Sequence, residues 1–406
     1  MNVIRKDRGS WAWLLFLATS WLALSDITVA AEPKPISFKK SVLDTKFRSE
    51  GVAIGDFNKD GKLDIAVSDA YYAAPDWKLV PIAAQPRDYD PLRYSNSFNN
   101  FAEDLNGDGW TDLVVVDFPG KETWWLQNPQ GSARPWERHK LVAVTNNESP
   151  QFRDIDGDGV RELIFGYSPD AMNVDGPERR MGIARRNVDP LQPWTIQAIS
   201  EPNVEGARRF SHGLGVGDIN GDGIRDVIAP HGWWQGEKRD ATAKGEPAPW
   251  KFHPAKLGNP AADMYALDLD GDGDQDVLSS AAHQLGIWWH EQTPDGFVTH
   301  EISKHFSQTH AMCLADINGD GKMDFVTGKR WWAHGPKGDV DPEAPAVLYW
   351  FQLEHRDGKP NWIPHEIDDN SGVGTQFEVG DINGDGLIDI AIGNKKGVFY
   401  FEQQRQ

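Results

Sequence analysis

The sequence has almost no cysteine, because Cys313 is the only one in 406 residues. A single thiol excludes a disulfide within the chain, and we expect Cys313 to be a small, buried apolar side chain. Positive charge is also scarce: 41 lysines and arginines stand against 61 acids, which gives a formal net charge of −20. The basic surface that nucleic acids require is missing, so the sequence predicts no nucleic-acid partner.

Long apolar runs are absent except near the N-terminus. There, basic residues between positions 5 and 8 precede the run WAWLLFLATSWLALS, and small residues follow in TVAAE. This order is typical of a secretory signal, and the run is short for a membrane span. We predict a signal peptide over residues 1–31, cleaved near Ala30-Ala31-Glu32, and a single domain over residues 32–406. The protein is then secreted or periplasmic, with no transmembrane anchor.

The sequence is rich in one short segment of acids and glycines. It reads GDINGDGIRD at residues 217–226, and seven segments of this type occur. Their first acidic residues are separated by 48, 50, 64, 50, 48 and 65 positions, a period typical of propeller or solenoid repeats. The segments hold 23 acids at the recurring positions; without them, 38 acids would face 41 basic residues. The negative charge of the chain therefore comes largely from these segments.

The spacing within each segment predicts a calcium site. Oxygen-bearing side chains recur at positions 1, 3, 5 and 9, and glycine occupies position 6, where a calcium loop turns sharply. Ordinary Asn/Asp turns do not require an acid at position 9. We therefore predict calcium as a cofactor, with up to seven ions and the carbonyl of position 7 as a further ligand. The predicted side-chain ligands are Asp56, Asn58, Asp60, Asp64, Asp104, Asn106, Asp108, Asp112, Asp154, Asp156, Asp158, Glu162, Asp218, Asn220, Asp222, Asp226, Asp268, Asp270, Asp272, Asp276, Asp316, Asn318, Asp320, Asp324, Asp381, Asn383, Asp385 and Asp389.

The rival interpretation is a calcium loop flanked by helices, as in an EF-hand or dockerin. Such a loop needs a bidentate acid at position 12. In the seven segments that position holds Val67, Val115, Phe165, Ala229, Ser279, Thr327 and Ile392. The flanking sequences, such as GVAIGD and LDIAVSD, alternate or run apolar, which predicts a strand on each side of the loop.

Two more strand-like segments follow each loop, for example GIWWHEQ and then FVTHEIS. Four strands in ~50 residues predict an all-β fold, a seven-bladed β-propeller of four-stranded antiparallel blades. The last repeat reaches only a third strand, GVFYFEQQRQ, whereas residues 36–44, ISFKKSVLD, resemble a fourth. We predict that this N-terminal strand joins the last blade and closes the ring, which leaves no open edge. An open β-solenoid is the alternative; it needs no such exchange and usually has a shorter repeat.

The GDINGDGxxD loop between two strands, repeated seven times, resembles the FG-GAP or VCBS-type repeats of calcium-binding β-propellers. These include the propeller of integrin alpha chains and certain fungal lectins. The resemblance covers almost all of residues 32–406 and implies fold and metal rather than function, because propellers host binding, adhesion and catalysis. The segment TGKRWWAHGPKGDVDPEAPAVLYWF, with HGLGVGDINGDG and THAMCLADINGDG, also resembles the propeller part of aldos-2-ulose dehydratases, which act on oxidised sugars. The sequence lacks the cupin domains that accompany that propeller.

In the family arrangement the calcium loops lie on one face of the disc, so the starts of first strands and the ends of second strands lie on the other. Just before three successive loops stand His212, Asp263 and His310. We predict that these three side chains lie side by side at the mouth of the central channel. Two imidazoles and a carboxylate suit a transition metal, a second metal in this protein, or acid and base catalysis on a sugar. Ordinary solvated strand ends are the alternative.

Other polar and aromatic residues are predicted at the same face. The further candidates for ligand binding are Glu50, Glu148, His231, His283, Lys329, Arg330, Trp331 and Trp332. The last two lie in a predicted insertion, whereas tryptophan doublets within strands should pack one ring against each adjoining blade. A structural role is predicted for the histidines of the fourth strands, which are His139, His253, His300 and His365.

Two classes of function fit this sequence. The first is an exported calcium-binding module that binds carbohydrate or a protein partner at the face opposite the calcium loops. The second is a sugar-processing lyase or dehydratase that uses the predicted His/Asp/His cluster. Because no nucleophile, cofactor fingerprint or established catalytic motif stands out, the sequence favours binding. Catalysis and oligomeric state stay open.

Overall fold

The computed structural model describes residues 35–238 and 248–405. The predicted signal peptide therefore lies outside the described residues. Within them, the secondary structure consists of 28 β-strands and one short 3-10 helix, Glu205–Ala207. The described ranges contain no helix with the length and apolar character that a membrane crossing needs.

After an initial strand, β1 (Ile36–Asp44), the strands follow in six groups of four and a last group of three. The first three groups are β2 (Ala53–Gly55), β3 (Asp64–Ala66), β4 (Ala70–Ala73), β5 (Lys78–Pro81); β6 (Asn99–Glu103), β7 (Asp112–Val116), β8 (Lys121–Gln127), β9 (Glu137–Thr145); and β10 (Gln151–Arg153), β11 (Glu162–Tyr167), β12 (Arg180–Arg185), β13 (Thr195–Ala198). The next two are β14 (Leu214–Gly217), β15 (Asp226–Ala229), β16 (Gly232–Trp234), β17 (Phe252–Pro254); and β18 (Asp263–Leu267), β19 (Asp276–Ser280), β20 (Leu285–Thr293), β21 (Gly296–Ser307). The remaining strands are β22 (Met312–Ala315), β23 (Asp324–Gly328), β24 (Leu348–Arg356), β25 (Lys359–Asp368), β26 (Phe377–Gly380), β27 (Asp389–Asn394) and β28 (Gly397–Arg405).

Hydrogen bonds join the described strands into five separate four-stranded sheets and one eight-stranded sheet. The eight-stranded sheet consists of two antiparallel groups, β14–β17 and β18–β21, whose first strands pair in parallel. In that pair Leu214 lies opposite Asp263 and Gly215 opposite Met264. A Cβ at position 215 would lie 2.3 Å from the carbonyl oxygen of Met264, so glycine permits the close approach. The fold is all-β, as predicted, and is built from antiparallel groups of four strands.

The first strands of successive sheets lie beside one another and surround a central channel. Strand β2 contacts β6, β10 contacts β14, β18 contacts β22, and β26 contacts both β22 and β2. Strands β6 and β10 meet through the rings of Phe101 and Phe152, whose centroids are 5.2 Å apart. This arrangement is the propeller-like ring that the sequence predicts.

Strand β1 closes the ring. It pairs antiparallel with β28, from Ile36 opposite Arg405 to Asp44 opposite Val398, and forms the outer edge of the last sheet. The prediction of an exchanged N-terminal strand over residues 36–44 is confirmed. The first and last parts of the described chain therefore share one sheet, and β1 covers the edge of β28 that would otherwise be open.

Aromatic side chains fill the space between sheets. Trp125 and Trp234 are 1% and 2% exposed, which agrees with a core role for the strand doublets. Each fourth-strand histidine lies against a tryptophan of the third strand, with ring centroids 4.1–4.6 Å apart. The pairs are His139 with Trp125, His253 with Trp233, His300 with Trp289, and His365 with Trp350. The structural role predicted for these histidines is confirmed.

Candidate functional site

Each acidic loop connects the first and second strands of its group, as predicted. Glycine at position 6 has a positive φ in all seven loops, between 79° and 98°. Position 4 is also left-handed, and it holds glycine in six loops and Lys59, with φ 61°, in the first. Because side chains with a Cβ are disfavoured at such φ values, the two glycines follow from the shape of the loop.

The loop backbone arranges the side chains at positions 1, 3 and 5. In the loop of residues 218–226, Oδ2 of Asp218 accepts a hydrogen bond from the N–H of Gly223 at 2.8 Å. Oδ1 of Asn220 accepts one from the N–H of Asp222 at 3.1 Å. The bond from position 6 to position 1 recurs in all seven loops. Carboxylate oxygens from three residues come within 4.8 Å of one another in two loops, at Asp154, Asp156 and Glu162 and at Asp268, Asp270 and Asp272.

The acid at position 9 is buried and begins the second strand in every loop. Asp226 is an example: Oδ2 accepts a hydrogen bond from the N–H of Ile219 at 2.8 Å, and Oδ1 accepts one from the N–H of Gly236, just beyond the third strand, at 2.7 Å. Burial raises the pKa of Asp226 to about 6. The position-9 acid therefore fastens its loop to the sheet, a role that the sequence analysis missed. Each carboxylate oxygen has a second lone pair, so the oxygen donors of these loops still fit calcium.

Three histidines come together at the opposite ends of the strands. His212 and His310 precede first strands, and His283 follows the second strand β19. One ring nitrogen from each lies within 4.8 Å of the other two. Nε2 of His283 is 3.2 Å from Nε2 of His212, and the ring centroid of His310 is 4.5 Å from that of His283. The structure thus brings His212 and His310 together, as predicted, and adds His283. We call these three residues the histidine cluster.

Asp263 does not join the histidine cluster. Its Oδ1 accepts a hydrogen bond from Nε2 of Gln151 at 2.9 Å, and its Oδ2 accepts one from the N–H of Met312 at 3.2 Å. It lies one residue closer to its loop than His212 and His310 lie to theirs, and alternate residues of a strand point to opposite sides. Burial raises the pKa of Asp263 to about 6. Its position in the predicted constellation is therefore taken by His283.

Two carboxylates with buried side chains contact histidines of the cluster. Oε2 of Glu148 is 3.4 Å from Nε2 of His212. Oδ1 of Asp339 is 3.1 Å from Nδ1 of His283 and 2.9 Å from Nδ1 of His334. Burial alone would raise the pKa of Asp339, but hydrogen bonds from both histidines hold it well below its usual range. Asp339 is thus an anion that orients two imidazole rings.

The third histidine has no such partner. His310 is 2% exposed, and neither ring nitrogen has a hydrogen-bond partner among the described residues. Burial lowers the pKa of His310, and the nearby charge of Arg330 lowers it further. The ring is therefore neutral, with a free lone pair. A buried polar group without a partner is costly in free energy, which indicates a ligand for one of the two ring nitrogens of His310.

A buried ion network of Arg330, Glu50 and Glu148 contacts the cluster at His212. Arg330 is 2% exposed; its Nη2 donates to Oε2 of Glu50 at 2.6 Å and its Nη1 to Oε2 of Glu148 at 3.2 Å. Burial alone would raise the pKa of Glu148, but His212 and Arg330 lower it to about 2. Glu148 is therefore held as an anion beside His212.

Two members of the cluster, His212 and His283, line a cavity of about 480 Å³, whereas the buried His310 does not. The residues that line the cavity include Glu148, His212, His231, His283, His334 and the segment Arg208–Ser211. Burial lowers the pKa of His231, whereas the hydrogen bond to Asp339 raises the pKa of His334. Burial lowers the pKa of His283 as well, so the cavity contains two histidines biased toward the neutral form and one biased toward the charged form.

Three further predicted residues, Lys329, Trp331 and Trp332, make their contacts elsewhere. Lys329 is buried, and its Nζ donates to Oγ of Ser307 at 2.8 Å; burial lowers the pKa of Lys329 to about 8. Trp331 and Trp332 stack on each other, with centroids 3.9 Å apart, and Nζ of Lys396 lies 4.4 Å from the centroid of the Trp331 ring. None of these side chains lines the cavity.

Sequence reasoning missed His334 and Asp339, and also the cavity wall from Arg208 to Phe210. The first two belong to the insertion WWAHGPKGDVDPEAP, which the repeat spacing places at the correct face. That spacing was the available signal, because it shows where an insertion enters but not which of its side chains turn inward. The wall segment carries no repeat signal.

The family model described as an FG-GAP-like repeat matches residues 104–165 and 268–327. This chain contains FG-GAP-like repeats. Each matched segment begins at the first aspartate of one acidic loop and runs through the next loop. No curated protein matches the chain.

Two solved structures are similar over most of this chain. One is an Agrocybe aegerita lectin, described for its specific recognition of non-reducing terminal N-acetylglucosamine; the TM-score is 0.41 and the identity 15%, over 82% of this chain and 81% of the lectin. The other is the V. cholerae biofilm matrix protein Bap1, with a TM-score of 0.33 and 15% identity over 86% of this chain. The similarity spans only 42% of the Bap1 chain.

Proposed function

We propose that this protein is an exported, calcium-stabilised seven-bladed β-propeller that binds carbohydrate at the face opposite its acidic loops. The two halves of the eight-stranded sheet count as two of the seven blades. A divalent transition metal held by His212, His283 and His310 makes the first contact with the ligand. The observation that carries this proposal is the histidine cluster, whose three ring nitrogens converge beside a cavity.

The donor set suits zinc or a similar metal. Imidazole is a borderline ligand that binds zinc, copper, iron and nickel. The bond from Nδ1 of His283 to Asp339 fixes the tautomer of that ring and makes Nε2 a better donor. His310 is buried and neutral, and its nitrogens have no partner among the described residues. Three protein ligands leave a coordination position for a molecule in the cavity, as in catalytic zinc sites.

The cavity favours a small polar ligand. Its volume of about 480 Å³ lies within the range of small-molecule sites. Its walls offer imidazole, carboxylate and guanidinium groups, which hydrogen-bond to hydroxyl and carbonyl oxygens. A carbohydrate supplies many such oxygens and can also present one to a metal. These features support carbohydrate over an extended protein segment.

Metal analysis tests the metal part of the proposal. We expect the protein purified in millimolar calcium to hold about one transition metal ion and up to seven calcium ions per chain. His283→Ala and His310→Ala should lose the transition metal and keep calcium, because the acidic loops lie at the other face. His305→Ala, an exposed histidine outside the cluster, is the matched control.

Glycan binding tests the ligand part. Wild type and His305→Ala should bind the same glycans on an array, and His283→Ala should bind none of them. Glycan binding that survives both cluster substitutions would contradict the proposal, as would purified protein with only trace transition metal. Circular dichroism and thermal melts of each variant show whether a loss of binding reflects unfolding.

A second candidate function is a metal-dependent lyase that acts on an oxidised sugar. The observation that favours it is the pair of histidines with opposite tendencies in one cavity, His231 and His334. A neutral imidazole suits removal of a proton next to a sugar carbonyl, and a charged one suits protonation of the hydroxyl that leaves as water. When bound, the metal would polarise the carbonyl. Water elimination from an oxidised sugar, followed by the ultraviolet absorbance of the unsaturated ketone, tests this function; turnover unaffected by His231→Ala and His334→Ala would count against it.

A further inference from the structure

One wall of the cavity is a rigid loop, Arg208–Ser211. The N–H of Arg208 donates to the carbonyl of Glu205 at 3.1 Å, and the N–H of Ser211 donates to the carbonyl of Arg208 at 3.1 Å. The N–H of Phe210 donates to the carbonyl of Asn146 at 2.9 Å. Phe210 itself has φ 65°, a left-handed conformation that is unfavourable for an aromatic residue. Backbone bonds to two neighbouring segments therefore hold this loop in a strained conformation, which is common at ligand sites.

This loop brings positive charge to the cavity. Arg208 and Arg209 both line it. The nearest acids only partly balance the arginines: Arg208 is 4.0 Å from Glu205, and Arg209 is 3.4 Å from Asp175, with all four side chains at least one-third exposed. Such exposed pairs contribute little and are easily exchanged for another anion.

The remaining acid of the cavity is already engaged. Oε2 of Glu148 accepts a hydrogen bond from Arg330 and lies beside His212, so this oxygen is occupied by protein groups. The loop wall of the cavity presents two guanidinium groups, in a chain whose formal net charge is −20. A pair of guanidinium groups in an acidic protein favours an anionic ligand at this place, because the rest of the surface repels such a molecule.

Phe210 adds an apolar face beside these charges. Its side chain is 38% exposed, and its ring packs against Phe118 with centroids 5.4 Å apart. The guanidinium carbon of Arg209 lies 4.8 Å from the centroid of the Phe210 ring. An exposed ring beside a guanidinium group can pack against the apolar face of a sugar while the arginine binds an acidic substituent.

We infer that the ligand of this cavity is an acidic sugar, whose carboxylate binds Arg208 and Arg209 while its ring packs against Phe210. This inference rests on the proposed function, since it assigns a ligand class to the same cavity. The carboxylate belongs either to a free sugar acid or to a uronic acid residue of a polysaccharide. Both sources present the same chemistry to the arginines.

Calorimetric titration of the metal-loaded protein tests the inference with three matched probes: glucuronate, glucuronamide and glucose. Glucuronamide is the neutral isostere of glucuronate, so the ratio of their dissociation constants isolates the charge. We expect glucuronate to bind at least about tenfold more tightly than glucuronamide, because charge-assisted bonds to arginine are the stronger kind. Higher salt should reduce this ratio.

Substitution of the arginines should remove the preference. In the double variant Arg208→Gln, Arg209→Gln, we expect the ratio of the two dissociation constants to fall to about one, with transition-metal content unchanged. Arg356→Gln, an exposed arginine at the end of β24, is the control and should keep the wild-type ratio. A comparison of monomeric galacturonate with its oligomer distinguishes the two sources. Tighter binding of the oligomer assigns the carboxylate to a polysaccharide, and equal affinity assigns it to a free sugar acid.

The outcomes separate this inference from the proposed function. If glucuronamide and glucose bind as tightly as glucuronate in a metal-dependent way, the cavity is a neutral-sugar site; the inference is overturned and the proposed function stands. If the double variant keeps the preference, the arginines do not recognise the carboxylate and the inference is again overturned. If the wild type holds no transition metal and binds none of the probes, both fail together.

Discussion

The acidic loops and the histidine cluster both gather charged side chains, but they stabilise them in different ways. In a loop, the carboxylates of positions 1 and 5 accept hydrogen bonds from N–H groups only a few residues away, such as Gly223 to Asp218. Around the cluster, polar groups meet across long stretches of sequence: 280 residues separate Arg330 from Glu50, and 71 separate His283 from His212. The loops are local and repeated; the cluster is non-local and occurs once.

This difference has consequences for stability and function. A local unit can be copied seven times because the hydrogen bonds that shape it, such as the bond from position 6 to position 1, have both partners in the same copy. A non-local network exists only where the ring brings several sheets together, so each of its members depends on the others. The loops therefore suit distributed stabilisation, and the cluster suits a single specific site.

Among the tests of this difference, removal of calcium should cause the largest loss of stability. At a site affinity of ~0.1 mM and ~1 mM free calcium, each occupied loop contributes about 1.4 kcal/mol, so seven contribute on the order of 10 kcal/mol. We expect a calcium chelator to lower the melting temperature sharply, and added calcium to restore it. Magnesium at the same concentration serves as the control, because it binds reluctantly to flexible oxygen cages. Melting curves that coincide with and without chelator would exclude calcium as the main stabiliser.

At the opposite face, one substitution should have a large effect. Arg330→Met leaves Glu50 and Glu148 buried without their shared partner, and breaking a buried pair in this way costs about 3–5 kcal/mol. We expect that loss in the free energy of unfolding, measured by urea denaturation in millimolar calcium. Adding Glu50→Gln should restore part of it, because one uncompensated charge is removed. If Arg330→Met has the same stability as wild type, the network is not a stabilising unit.

The sequence predicts what is local and periodic in this protein. The loops, the flanking strands and the exchange of residues 36–44 all follow from patterns that repeat about every 50 residues, and the structure confirms these strands. The repeated acid at position 9 was visible as well, but its second role was not. The hydrogen bond that Asp226 accepts from Gly236, just beyond the third strand, forms only when the third strand has paired with the second.

The site could be predicted only in part, because its members come from different periods of the sequence. His212 and His310 each lie six residues before the first aspartate of a loop, and this equal distance predicts that they lie together. Asp263 lies five residues before its loop, and this shift of one residue turns its side chain toward Gln151. His283 follows a second strand, so its distance from the first-strand residues depends on the three-dimensional ring. Asp339 lies in an insertion for which the repeat gives no template.

Glu378, in the central channel, provides a prediction in which the expected change in the free energy of unfolding is intermediate. Burial raises the pKa of Glu378 to about 7, and its Oε1 accepts a hydrogen bond from Nε2 of Gln376 at 3.0 Å. A carboxyl group whose pKa is higher in the folded state than in the unfolded state, where it is about 4.3, costs stability as pH rises from about 4 to about 7. Glu378→Gln should therefore be about 1–3 kcal/mol more stable than wild type at pH 8 and nearly equal at pH 4. Urea denaturation at both pH values measures this, and exposed Glu201→Gln should differ from wild type at neither.

The smallest expected effect comes from a single loop. Asp218→Asn removes one ligand charge and keeps only one oxygen, so one of the two loop hydrogen bonds, from the N–H groups of Asp222 and Gly223, is lost as well. If the loops are independent units, the variant should lose one bound calcium ion, and the stabilisation that added calcium gives should fall by about 1.4 kcal/mol, the contribution of one site, while the other loops keep their affinity. Calorimetric titration with calcium counts the bound ions, and thermal melts with and without calcium measure the loss of stability. Loss of several ions from this one substitution would show that the loops are coupled around the ring, and the contrast between a local face and a non-local face would then fail.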